Sequence, residues 1–215
     1  MKIIKKIVIG FISLLVAIFV LRYIYLEETG NFHAVTKGVV YRSAQLDADE
    51  LEEYIAKYNI RSILNLRGKK EDKSWYQEEE RIAKQKGVVL ISFRMSPRDV
   101  IPAKRINQII DLMQNAPKPM LIHCKAGADR SGLVAAIWKL VVDKAPPKKA
   151  HKQLSLFYGH VPYLWSKTKA MDESFWNYVK YLRSRKQNQS ADRAASKQDY
   201  WWQPKAKSVH LAFSR

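Results

Sequence analysis

The chain has 215 residues, 47% hydrophobic and 27% charged, enough for one domain with a buried core plus short extensions and too few for two large domains. Eight Gly and eight Pro exclude a collagen-like or Pro/Gly-rich disordered chain, and a single cysteine excludes an intramolecular disulfide framework or a cysteine-rich zinc site. The formal net charge of +18 predicts attraction to nucleic acid, acidic lipid or phosphorylated substrates without choosing among them.

Residues 1–6 form a basic segment carrying Lys2, Lys5 and Lys6. The uncharged run Ile7–Leu21 is about 22 Å of helix at about 1.5 Å per residue. Extended to Leu26, with Arg22 snorkelling and Tyr23 and Tyr25 at the interface, it approaches the roughly 20 residues that a bilayer requires. Residues 7–26 are therefore read as a transmembrane signal anchor. A cleaved signal peptide and a buried core helix are the competing readings, but no small-x-small cleavage site follows the run. Three lysines precede the span and Arg22 alone closely follows it, which predicts N-terminus in and domain out. In a Gram-negative cell that is a single-pass inner-membrane protein with its domain in the periplasm.

Residues 30–186 have the pattern of a soluble α/β domain. A short strand is expected at 39–41, then a helix over 46–58 with Leu51, Tyr54, Ile55 and Tyr58 on one face and an Asp47/Glu50 capping box. Strands follow at 60–66, 88–93 and 119–123, the last apolar throughout, as in a buried parallel sheet. Helices are expected between them at 69–86 and 104–115, and after them at 130–142, 147–158 and 171–186. Alternation of this kind predicts an α/β fold, a mainly parallel sheet of about four or five strands flanked by helices. Residues 187–215 lose apolar periodicity and read as a basic, largely disordered tail, in which Tyr200, Trp201 and Trp202 are candidates for docking on the domain or on a membrane surface.

One segment carries chemistry: His123-Cys-Lys-Ala-Gly-Ala-Asp-Arg-Ser-Gly132. It joins a buried strand to an apolar helix, where a loop presents backbone amides to an anion. Gly127 permits a tight turn, and the helix dipole and the amides stabilise a thiolate at Cys124. The planar fork of Arg130 suits two oxygens of a phosphoryl group. Ser131 is placed to donate to the sulfur. A buried apolar cysteine is the bland alternative.

The spacing Cys124-x5-Arg130 resembles the signature of the protein tyrosine phosphatase superfamily, and the chain is most similar to its atypical dual-specificity branch, in particular to membrane-anchored bacterial members. The resemblance runs over about 31–186. It includes Asn31-Phe32-His33, Gly38 through Gln45, Gln153-Leu154-Ser155 and Tyr158-Gly159-His160. It implies a phosphate monoester hydrolase with a phosphocysteine intermediate and neither metal nor cofactor. Cys124 attacks phosphorus, and the amides of Lys125, Ala126, Gly127, Ala128 and onward to Arg130 hold the equatorial oxygens. His123 is expected to orient the loop. Relatives place an acid on a loop ahead of the nucleophile, where this sequence offers Asp99 without a Trp-Pro-Asp pattern. Asp129, inside the cysteine loop, is the rival for acid or water-positioning work.

Lys125 adds charge to the loop rim, as in phosphoinositide-directed relatives. Arg67, at a strand end, is a candidate to face the same cleft, with Arg42 a weaker one, and His160 reads as a packing or capping residue. A phosphorylated lipid or glycolipid headgroup is the favoured substrate, and a phosphoprotein the runner-up. A catalytically silent phosphate-binding module is the alternative from another class; it predicts a degenerate nucleophile or arginine, and both are intact. Nucleic acid is not expected as a partner, because aromatics are not interleaved with the basic residues. The sequence leaves the oligomeric state open.

Overall fold

Five strands form one sheet in the order β1-β2-β5-β3-β4 in a computed structural model, which describes residues 2–162 and 166–201. β2 (Val40–Ser43), β5 (Met120–His123), β3 (Ser62–Asn65) and β4 (Val89–Ser92) run parallel, and β1 (His33–Thr36) pairs antiparallel with β2. The sheet is thus the expected mainly parallel one, with one edge strand that periodicity did not disclose. β2, β3 and β5 are buried at every position, as covered parallel strands must be.

Alternation along the strands divides the core between two faces. Tyr41, Ile63 and Leu121 share a register row and pack with Leu51 and Ile55 of α2 (Ala48–Tyr58) and Ile82 of α3 (Ser74–Lys86). Arg42, Leu64 and Ile122 form the next row. It faces the other side, where α4 (Ala103–Asn115) and the almost wholly apolar α5 (Arg130–Val141) pack together. α2 begins with the expected capping box, Asp47 accepting from the Glu50 amide and Glu50 from the Asp47 amide.

The helix expected over 147–158 is broken. α6 covers only Pro147–Ala150, followed by 3-10 turns at His151–Gln153 and Leu156–Tyr158. Ser155 is extended (φ −146°, ψ 162°), and the carbonyl of Gln153, which a continuing helix would use, accepts instead from Arg42 Nη1 at 2.7 Å.

α1 (Lys2–Glu28) has no buried residue and is long and apolar enough to cross a membrane. The chain divides into two units, Met1–Tyr178 and Val179–Arg215. α7 starts at Lys169 and stays helical to Trp201, so regular structure does not stop at residue 187 as the composition suggested. Trp202 and the rest of the expected tail lie outside the described residues.

Candidate active site

Cys124 follows β5, the middle strand, so its loop opens at the carboxyl end of the sheet, where ligands of parallel sheets bind. The loop is built to hold one shape. Gly127 has φ +68°, and a Cβ there would stand 2.6 Å from Ala44 N and 2.8 Å from the Ser43 carbonyl carbon, so no other residue fits without displacing backbone. Asn31 Nδ2 donates to the carbonyls of Ala126 (2.9 Å) and Tyr158 (3.0 Å).

Arg42 does not face the cleft. It is fully buried beneath the loop, donating from Nη2 to Gly127 O (2.6 Å) and Ala128 O (3.0 Å), with its guanidinium 4.2 Å from the Tyr158 ring centroid. Burial pushes its pKa down to about 10, against the pull of Tyr158, Cys124 and Asp129, and it stays cationic at neutral pH. The loop carbonyls are thereby drawn inward around a fixed positive charge. Neither this role nor that of Gln153 behind it shows in the sequence, because the partners lie 85 and 111 residues from Arg42.

Cys124 is buried (2% exposed), with Sγ 3.4 Å from Ser131 Oγ in the first turn of α5. Arg130 is tethered by Nη1 to the carbonyls of Leu66 (3.3 Å) and Met95 (3.5 Å) at the ends of two neighbouring strands. Its buried Nε has no acceptor among the described residues, which leaves a donor for an oxyanion. His123 is buried with Glu79 of α3, Nε2 standing 2.6 Å from Oε1. That approach lies off the donor axis of the ring, so it is a close polar contact rather than an aligned hydrogen bond. Glu79 is fixed in turn by Asn65 Nδ2 at 2.5 Å. The neighbour of His123 thus comes from another element, α3.

Above the loop is a cleft of about 340 Å³ whose lining includes five cations, Arg67, Lys70, Arg94, Lys125 and Arg130, and no carboxylate. Arg67 stacks on Trp75 (3.4 Å to the ring centroid) and donates to Gln45 Oε1 at 3.0 Å. Burial first, and then the charge of Arg130, lower its pKa. Arg67 and Lys125 therefore stand where the sequence placed them. Lys70, Trp75 and Arg94 were missed, for they sit in charged stretches that look like any solvated surface.

The two candidate acids part company. Asp99 is exposed on the connection between β4 and α4, whose residues Arg94–Pro97 line the cleft. Neither aspartate is itself among the cleft-lining residues, and what separates them is the partner of Asp129. Its Oδ1 is 2.6 Å from Nδ1 of the fully buried His160, whose Nε2 is 2.9 Å from Asp172 Oδ2. Asp172 Oδ1 is 2.7 Å from His151 Nε2. Burial alone would lower the pKa of His160, but its two carboxylate partners outweigh that and hold it at about 9. His160, read from the sequence as a packing or capping residue, is a buried clamp between Asp129 at the start of α5 and Asp172.

The family described as DSP-PTPase phosphatase fused to NAD+ kinase matches residues 23–172. A curated relative, 197R of Invertebrate iridescent virus 6, named as a tyrosine phosphatase, is 36% identical over 63 residues, 28% of this chain and 24% of that protein. The chain thus spans about a quarter of that relative's length. Among solved structures, the catalytic core of the S. cerevisiae PP-IP phosphatase SIW14 is similar with a TM-score of 0.55, 20% identity and coverage of 73% and 93% of the two chains. TpbA of P. aeruginosa gives 0.51, 19%, 69% and 91%. PTPMT1 in complex with PI(5)P gives 0.52, 14%, 70% and 98%. These likenesses show a common fold.

Proposed function

The chain belongs to that family, an atypical dual-specificity branch of the protein tyrosine phosphatase superfamily; we propose that it is a cysteine-dependent phosphatase and removes phosphate from a phosphorylated lipid or glycolipid headgroup at the membrane holding α1. The observation that carries this is the five-cation cleft without a carboxylate. Such a cleft favours a substrate with several negative charges, presented on an acidic surface, over a single phosphorylated side chain. PTPMT1, which shares the fold, has been captured with a phosphoinositide. The same proposal takes the chain as a basic start (1–6), an anchor (7–26), a catalytic domain (30–186) and a basic tail (187–215), with the catalytic domain periplasmic in a Gram-negative cell.

The Cys124 thiolate attacks phosphorus in line, forming a P–S bond as the P–O bond to the leaving group breaks. Loop amides from Lys125 to Arg130 and the Arg130 fork hold the equatorial oxygens as charge builds on them. Asp99 gives its proton to the leaving oxygen, since Asp129 is committed to His160. Water, passing a proton back to the Asp99 carboxylate, then attacks the phosphocysteine; the P–S electron pair returns to sulfur, and inorganic phosphate leaves. Ser131 donates to the departing thiolate.

The test is hydrolysis by the full chain in phospholipid nanodiscs, with Cys124→Ser as control and no added metal. The substrates are a phosphoinositide, phosphorylated lipid A, phosphotyrosine and phosphoserine peptides, and an aryl phosphate. Turnover concentrated on the lipid phosphates is expected. Preference for the peptides would overturn the lipid reading, and silence on all five would favour a phosphate-binding module.

A further inference from the structure

The 3-10 turn Leu156–Tyr158 carries two large apolar side chains left uncovered, Leu156 and Phe157 at 56% and 57% exposure. The turn is not a loose loop. Tyr158 O accepts from Asn31, and His160 just beyond it is held by two carboxylates. Leaving two such side chains in water on a fixed turn forfeits burial of their apolar area, which calls for an occupant.

α1 meets this turn directly. The Arg22 guanidinium lies 4.3 Å from the Phe157 ring centroid and donates to the Phe157 carbonyl. One helical turn later, Leu26 lies against Gly159, where a Cβ would come within 3.4 Å of Leu26 Cδ1. Arg22 and Leu26 are half-buried by this contact, while Tyr23, Ile24 and Tyr25 are exposed. The contact falls just after the uncharged run Ile7–Leu21. If residues 7–26 span the bilayer with Arg22 snorkelling to the headgroups, residues 22–26 form the outer end of the span, and the turn packed on them stands at the interface.

We propose that Leu156 and Phe157 insert into the interfacial zone of the bilayer that α1 spans, docking the catalytic domain on lipid at a second point beside its anchor. The inference rests on the spanning reading of α1. Apolar and aromatic side chains are favoured at this depth, and Arg22, stacked on Phe157, is level with lipid phosphates there. Docking has a consequence for the site. Asn31, just past α1, bonds both Ala126 of the cysteine loop and Tyr158 of the turn, so a turn seated in the interface holds the loop at a fixed height above the lipid.

The experiment places a nitroxide at Phe157→Cys in the Cys124→Ser background of the full chain. The chain is held in nanodiscs of phosphatidylethanolamine and phosphatidylglycerol, with the same label at Val16→Cys and at Asp99→Cys for comparison. Accessibility to oxygen and to a water-soluble nickel chelate is read at each position. The expected result is a label at 157 shielded from nickel and open to oxygen, between the deep label at 16 and the wet one at 99. A label at 157 as wet as the one at 99, with 16 still deep, overturns the inference and spares the anchor. A wet label at 16 overturns both. Spin–spin broadening between copies at 157 would assign the patch to a second chain and also overturn it. In parallel, Leu156→Glu should slow hydrolysis of a nanodisc-embedded phosphorylated lipid by about tenfold, while an aryl phosphate in solution stays within about twofold; equal loss on both would count against lipid contact.

Discussion

Asp129 Oδ1 and His160 Nδ1 stand 2.6 Å apart across 31 residues of sequence, at the junction between the cysteine loop and the segment that braces it. On its other nitrogen His160 holds Asp172 in the first turn of α7. One buried cation thus ties the start of α5 to the start of α7, directly beside Arg130.

This clamp depends on pH in a definite direction. The pKa of His160 is raised in the fold from 6.5 to about 9. Its contribution to stability is therefore full below the unfolded value of 6.5 and is lost as the pH rises through about 9. Thermal unfolding of the wild type and His160→Gln between pH 6 and pH 10 should show a wide gap at the acid end that closes at the alkaline end. A gap of constant width would contradict the ion-pair assignment.

Replacing the nucleophile should abolish turnover without loss of fold, so Cys124→Ser should keep the circular dichroism of the wild type and give no phosphate release. Arg130→Lys keeps the charge but loses the planar fork. Its kcat/KM should fall by about 10²–10³-fold. A rate near that of the wild type in either variant would remove the mechanism.

The two aspartates can be separated by leaving group. Asp99→Asn should slow an alkyl phosphate by about 10²-fold or more and an aryl phosphate much less, because a good leaving group needs little protonation. Asp129→Asn removes a partner of His160, so its loss should be similar for both substrates and accompanied by a lower melting temperature. The reverse pattern would return the acid role to Asp129.

Arg42 offers a test of construction rather than chemistry. Arg42→Met leaves the carbonyls of Gly127, Ala128 and Gln153 without a donor and should cost about 3 kcal/mol or more in denaturant unfolding. Gly127→Ala should weaken vanadate binding, because the added Cβ meets Ala44 and Ser43 backbone. Retained stability in the first variant, or retained affinity in the second, would show that the loop does not need this scaffold.

Local pattern settled what depends on near neighbours. Leu51 and Ile55 repeat at helical spacing, Asp47 and Glu50 cap each other three residues apart, and Met120–His123 is apolar enough to be a central strand. Cys124, Gly127 and Arg130 sit within one loop, so their chemistry is legible as a string. The mainly parallel sheet follows from strand–helix alternation, since each crossover must return the chain to the same end.

Tertiary structure decided everything that turns on partners distant in sequence. It buried Arg42 under the loop instead of setting it in the cleft, and broke the helix expected at 147–158 by taking the Gln153 carbonyl. It gave His123 its Glu79 and Asp129 its His160. Lys70 and Arg94 read alone as solvated surface charges, and became a cleft only when three strand ends converged. The reason is common to all of these: burial and charge pairing are fixed by which groups the fold brings within about 3 Å of one another, and side chains 31 to 111 residues apart along the chain carry no local periodicity that would announce it.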